Sequence, residues 1–202
     1  MLALLGKPLA DERGRNLLVV GAVSTWRRVH IIGGAGSGKT TLARQVAEQL
    51  AGQAYDLDAI AYEDGAGPKR SLDVRRADVH RIAVQSAWAS EGGFLWWVDE
   101  LLQAADAIVW LDLPWHIAAR RVLIRHMRAS LAGTNKHRGL RKLLRFVRWT
   151  RRYYTSAPVP TAPDDDAAMS RTATQEALRP HMHKVIHCRR PSEVKAVLTA
   201  LG

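Results

Sequence analysis

Eight consecutive residues, Gly33-Gly34-Ala35-Gly36-Ser37-Gly38-Lys39-Thr40, satisfy the pattern G-x-x-x-x-G-K-[ST]. The chemistry this suits is a grip on a phosphate chain. Its glycines let the backbone wrap so closely that several N–H groups point inward, and a helix opening near Gly38 adds its positive end. Lys39 is placed to reach the β- and γ-phosphates, and the Thr40 hydroxyl to meet Mg2+. With Thr41 at its edge, the run Gly33 to Thr41 is the expected site for ATP or GTP, with Mg2+ as companion ion.

Phosphoryl transfer depends on positioning and charge neutralisation more than on covalent chemistry, so a metal and several cations must gather at the γ-phosphate. Glu91, before Gly92 at an expected strand end, is the first choice for a carboxylate holding a metal-bound water. Asp99 competes, but its helical setting suits a solvated or acceptor-facing group. Asp56 and Asp58 lie two apart: on a strand both project to one face, and if the strand frays there they diverge. Asp58 is expected to orient or deprotonate an acceptor, against the ordinary use of Asp as a cap or turn former. Asp112, before Leu113-Pro114, reads as a turn former.

Arg120, Arg121, Arg125 and Arg128 recur at helical spacing. Arg121 and Arg125 are four apart and so adjacent, and their planar forks match phosphate oxygens. They are the expected catalytic cations beside Lys39, weighed against a merely soluble basic face. Arg148, Arg151 and Arg152 offer a weaker case for a cationic contact on the acceptor side. Trp96 and Trp97 suit stacking on a base, yet beside Leu95 and Val98 they fit a core better. His181 and His183 have no third ligand nearby, and Cys188 reads as a small buried residue.

These groups need elements to hold them. Val29 to Ile32, the glycine loop and the periodic run Thr41 to Leu50 read as strand, loop, helix. Ala54 to Leu57 is a second strand, followed by a Gly/Pro-rich turn at 64 to 68. A serine-capped helix runs from Ser71 to about Ala87, and Trp88 to Ser90 is a buried strand ending at Glu91-Gly92. Phe94 to Ala105 is a short helix and Ala107 to Leu111 the clearest strand. Pro114 opens another helix. Leu140, Leu143, Leu144 and Val147 mark one face of a further helix whose other side is basic. Residues 155 to 170 form a loop, Lys184 to His187 a last strand and Pro191 to Leu201 a last helix. Strands alternating with helices call for a parallel sheet covered on both faces.

At 202 residues the chain suits one α/β domain with an appendage. The division expected is a leader of uncertain structure at 1–27 and a single domain at 28–202, with 115–155 as a basic lid. One cysteine excludes an internal disulfide and any multi-cysteine metal site, which fits a cytoplasmic protein. The apolar stretches before residue 24 are too short to span a bilayer, so no membrane role is expected. The net charge of +11 is concentrated: no acidic residue lies between Asp112 and Asp164, where 12 of the 30 Lys and Arg fall. That segment faces either something negative or water.

From about residue 28 to 201 the chain resembles the adenylate-kinase-like P-loop kinases, and within them the small bacterial group labelled topology modulation proteins. The likeness rests on the phosphate loop, Tyr55-Asp56-Leu57-Asp58, Trp88-Ala89-Ser90-Glu91-Gly92, Ala105 to Pro114, the Arg-rich stretch and the closing strand and helix. Two departures stand out: Glu91-Gly92 replaces Asp-Gly, and Gly93-Phe94-Leu95-Trp96-Trp97 replaces an Asp-Gly-Asn-Tyr type of continuation. The resemblance implies an α/β P-loop nucleoside-triphosphate-hydrolase/kinase fold, a five-stranded parallel sheet in the order 2-3-1-4-5, with the nucleotide at the carboxyl strand ends. It implies transfer of the γ-phosphoryl group of Mg-ATP to a small acceptor, so a nucleoside triphosphate and a small molecule are the expected partners. Two alternatives stand beside this small-molecule kinase. One is a nucleic-acid-associated NTPase, on the strength of the basic segment. The other is a nucleotide-binding protein without turnover, suggested by the altered stretch from Glu91 to Trp97.

Overall fold

The computed structural model describes residues 25–133, 139–155 and 169–201. Most of the expected leader, most of the loop expected at 155–170, and Lys136 and Arg138 of the basic segment lie outside the described residues.

Five strands form one parallel sheet in the order β2-β3-β1-β4-β5. They are β1 (Arg28–Gly33), β2 (Gln53–Asp56), β3 (Trp88–Gly92), β4 (Ala107–Leu111) and β5 (Val185–Cys188). The central strands are apolar runs because both faces of a parallel sheet are covered. In register, Ile31 lies opposite Glu91 on one side and Val109 on the other, and Gly33 opposite Leu111. The carboxyl ends of β1, β3 and β4 therefore finish at one edge, where any site built from strand ends must lie.

Alternate residues sort into two cores. Val29, Ile31, Ala89, Val109, Leu111 and Cys188 face α1 (Lys39–Gln49) and α8 (Pro191–Leu201). Ile32, Trp88, Ile108, Trp110 and Val185 face the other side. That side is covered by α2 (Leu57–Ala61), α3 (Leu72–Ala83), α4 (Asp99–Ala104) and α7 (Arg171–Leu178). The strand order is the one expected, with helices on both faces. The basic segment forms two helices, α5 (Trp115–Leu131) and α6 (Leu140–Thr155).

Several expected boundaries move. β2 stops at Asp56, not Leu57, because the Asp56 side chain accepts from the Asp58 amide at 2.9 Å and caps α2. Asp58 thus sits in the first turn of a helix, and the shared strand face expected for the two carboxylates does not form. α3 ends at Ala83, short of Ala87, and leaves Val84 in solvent. The helix expected from Phe94 begins only at Asp99. Phe94, Leu95, Trp97 and Val98 are all buried ahead of it. α7 was not expected. Ser170 caps it, accepting from Ala173 N–H at 3.1 Å.

Candidate nucleotide site

The glycine loop leaves the carboxyl end of β1 and enters α1 at the middle of the sheet. Gly36 (φ 79°) and Gly38 (φ 101°) take the left-handed conformation that side chains resist. Space gives Gly36 a second reason: a Cβ there would stand 2.6 Å from the Ala118 carbonyl and 2.8 Å from a Val122 methyl of α5. On its other flank the loop is approached by α6, since a Cβ on Gly34 would meet the Tyr153 ring at 2.9 Å. Tyr153 is itself pinned, its hydroxyl accepting from Trp110 Nε1 at 3.0 Å and donating to Thr174 Oγ1 at 3.4 Å.

No side chain caps α1. Its first intrahelical bond runs from Leu42 N–H to the Gly38 carbonyl at 3.1 Å, so the amides of Lys39, Thr40 and Thr41 precede the ladder. Three donors at a positive helix end fit an anion. Lys39 Nζ is folded back to donate to the Gly34 carbonyl at 3.3 Å, a long bond that a phosphate oxygen can replace. Arg121 reaches over from α5 and its guanidinium donates to the Ser37 carbonyl at 2.5 Å. Arg125 is not drawn onto the loop backbone. It lines a groove on α5 with Arg121, Arg128 and Ile124.

On the opposite side of the loop, the Thr40 hydroxyl donates to Glu91 Oε1 at 2.5 Å. Glu91 is only 5 % exposed. Burial pushes its carboxyl above the ordinary range, the Lys39 ammonium and the Thr40 hydroxyl oppose that push, and Asp56 and Asp58 add to it. The three carboxylates and Lys39 therefore share one electrostatic neighbourhood. Among the described residues no group of three His, Cys, Asp or Glu could hold a metal by itself. Mg2+ is commonly bound through one or two protein groups plus phosphates and water, and Thr40 with Glu91 behind it fits that manner of binding. Asp99, at the start of α4, is exposed.

His30 lies beneath this edge, fully buried, with Nδ1 2.8 Å from Ser90 Oγ. Burial, and then the nearby Lys39 charge, push its pKa down to about 3. The imidazole is neutral at physiological pH.

A second feature was missed in the sequence. Asp112, read as a turn former, is 4 % exposed and accepts from Arg171 Nε at 2.7 Å and from His187 Nε2 at 3.0 Å. His187 stacks on Trp110 at 4.0 Å between ring centres. With Pro114, Gln175 and Arg189 these residues line a cavity of about 330 Å³ beyond the ends of β4 and β5. Only the Asp after the clearest strand was a usable signal, because Arg171 and His187 lie far away in sequence.

In the stretch after β3, Trp97 is buried and Trp96 packs partly against the same core. The Arg75 guanidinium lies over the Trp97 ring at 5.3 Å, and Phe94 meets Trp97 at 4.8 Å between centres. Met169 approaches Gly93 so closely that a Cβ there would meet its Cε at 2.5 Å. Arg148 and Arg152 are exposed, and the Arg151 guanidinium lies over Trp115 at 5.6 Å.

No family model matches the chain. It is 26 % identical over 132 residues, 63 % of its own length and 72 % of the relative's, to the uncharacterized protein YqaC of Bacillus subtilis strain 168. Among solved structures, the shikimate kinase of Bacteroides thetaiotaomicron is 14 % identical, with a TM-score of 0.44 over 88 % of this chain and 97 % of that one. A gluconokinase of Sinorhizobium meliloti 1021 is 18 % identical, with a TM-score of 0.45 over 87 % and 91 %. A sugar kinase of Janibacter sp. HTCC2649 is 18 % identical, with a TM-score of 0.46 over 87 % and 94 %.

Proposed function

We propose that the chain is an ATP-dependent phosphotransferase of the adenylate-kinase-like P-loop kinases, akin to the topology modulation group, acting on a small acceptor. The observation that carries this reading is the convergence at one sheet edge of an uncapped helix start, Lys39, and a Thr40 hydroxyl tied to buried Glu91. A turn with no ligand has no use for a buried carboxylate aimed at the first residues of its helix.

Bound Mg2+ would neutralise the β- and γ-phosphate oxygens. Thr40 donates its proton to Glu91, so its hydroxyl oxygen would be free to hold the ion. Glu91 orients that hydroxyl and would serve the ion through its carboxylate. Lys39 exchanges the Gly34 carbonyl for the β- and γ-phosphates, and the amides of Gly34 to Thr41 cradle the chain. Arg121, with Arg125 one turn on, moves from the Ser37 carbonyl to the transferring group, where charge spreads over three oxygens. Asp58 accepts the acceptor hydroxyl's proton as the new O–P bond forms. The bond from the γ-phosphorus to the bridging oxygen breaks, and the diphosphate leaves with that oxygen.

The test is to incubate the protein with γ-labelled ATP, Mg2+ and a panel of nucleosides, nucleotides and sugars, with Lys39→Ala as control. Label is expected in one acceptor class and absent with the variant. Label that reaches only inorganic phosphate, at the variant's rate, leaves a nucleotide-binding protein without transfer and contradicts the proposal.

A further inference from the structure

Four of the five arginines of α6, Arg141, Arg145, Arg148 and Arg152, lie at spacings of four, three and four residues. At 3.6 residues per turn these fall on one stripe, opposite the buried Leu143, Thr150 and Tyr153. All four are exposed, and among the described residues none pairs with a carboxylate. Arg151 is off the stripe, its guanidinium lying over Trp115. Trp149, 43 % exposed, borders the stripe, and Phe146, 37 % exposed, stacks on it from the side nearer the buried face, the rings 5.8 Å apart at 23°. The nucleotide reading makes no use of this face. A lid needs cations turned toward the phosphate loop, and these point away from the side that packs on the domain.

We propose that the Arg141–Arg145–Arg148–Arg152 stripe and the Phe146–Trp149 ring pair bind single-stranded nucleic acid. The stripe is about 16 Å long at 1.5 Å per residue. Along that length each of the four arginines can meet one phosphate of an extended strand. Arginine forks match phosphodiester oxygens, and the paired rings offer a flat surface on which an unpaired base stacks, whatever its identity. A duplex hides its base faces and so has no use for the rings. An anionic bilayer shares the phosphate chemistry but asks for a continuous apolar strip. The exposed apolar residues of α6 are few, with Leu144 on one side of the stripe and the ring pair on the other.

The experiment measures binding of a labelled 15-nucleotide single strand, its duplex, and phosphatidylserine-containing vesicles by the full chain across salt concentrations. Wild type is expected to prefer the single strand, with a slope of log K against log salt of about −3, since four neutralised phosphates contribute about 0.7 each. Arg145→Gln/Arg148→Gln is expected to bring the slope to about −1.5. Trp149→Ala is expected to weaken single-strand binding at least about five-fold at an unchanged slope. Lys39→Ala is expected to bind the strand like wild type, which separates this surface from the phosphate loop. Thermal melts of each variant establish that it is folded. Equal or tighter binding of duplex or vesicles at matched salt overturns the proposal. So do an unchanged slope in the folded double variant, and loss of strand binding in Lys39→Ala.

Discussion

The Thr40 hydroxyl donates to Glu91 at 2.5 Å, joining the first turn of α1 to the carboxyl end of β3 across the sheet edge. This bond makes Glu91 a positioning group with an energetic cost, because the carboxylate is buried and its proton affinity raised. A carboxyl whose folded pKa lies above its unfolded value binds its proton more tightly when folded, so stability falls as pH rises from the ordinary carboxylate range through the raised value. Glu91→Gln keeps an acceptor for Thr40 and removes that loss. It is expected to melt no lower than wild type at pH 8, with the difference moving in its favour between pH 5 and pH 8. Magnesium-dependent nucleotide binding or turnover is expected to fall about 10- to 100-fold, as for other groups that orient a metal ligand. A variant that melts lower at pH 8, or keeps full magnesium dependence, contradicts the assignment.

Arg121 is the cation of α5 already in contact with the loop, through the Ser37 carbonyl. If its fork serves the transferring phosphoryl group, a point charge is a poor substitute. Arg121→Lys and Arg121→Ala are both expected to slow transfer by about 10²-fold or more, with nucleotide affinity changed only a few-fold. Single-turnover rates beside equilibrium titrations provide the check, and recovery of the rate by lysine opposes the account.

His30 gives the fold a dependence on acid. Its pKa is held down at about 3 by burial and then by Lys39, against an ordinary value of 6.5. A depressed histidine contributes stability that is present above pH 6.5 and lost as pH falls toward 3, because the unfolded chain takes up the proton first. His30→Gln is expected to show a shallower fall in urea midpoint between pH 7 and pH 4.5 than wild type does. Parallel profiles for the two proteins run against a buried neutral imidazole.

What the sequence made legible was the part with local signatures. β4 ends where expected, at Ala107 and Leu111, because an all-apolar five-residue run between Asp106 and Asp112 admits little else. The turn from β1 into α1 was readable because its glycines mark a local backbone conformation. Phe94 to Val98 misled because a short apolar run that joins the Ile32–Trp110 core carries no periodicity by which helix can be told from other structure. For Asp56 and Asp58 both a shared strand face and a frayed strand end were open, and the cap between them decides for the second. The Asp112–Arg171–His187 cluster was out of reach, since 59 and 75 residues separate its members and only the β4–β5 pairing and α7 bring them together.

The central claim is that the amides from Gly34 to Thr41, with Lys39, grip the triphosphate of a nucleotide. Titration calorimetry of a non-hydrolysable ATP analogue with Mg2+ into the full chain, and into Lys39→Ala, tests it most directly. The account predicts saturable binding by the wild-type chain, with affinity reduced at least about ten-fold in the folded variant, the loss of one charge-assisted contact. No saturable heat with either ATP or GTP analogues, or equal affinity in the two proteins, contradicts it.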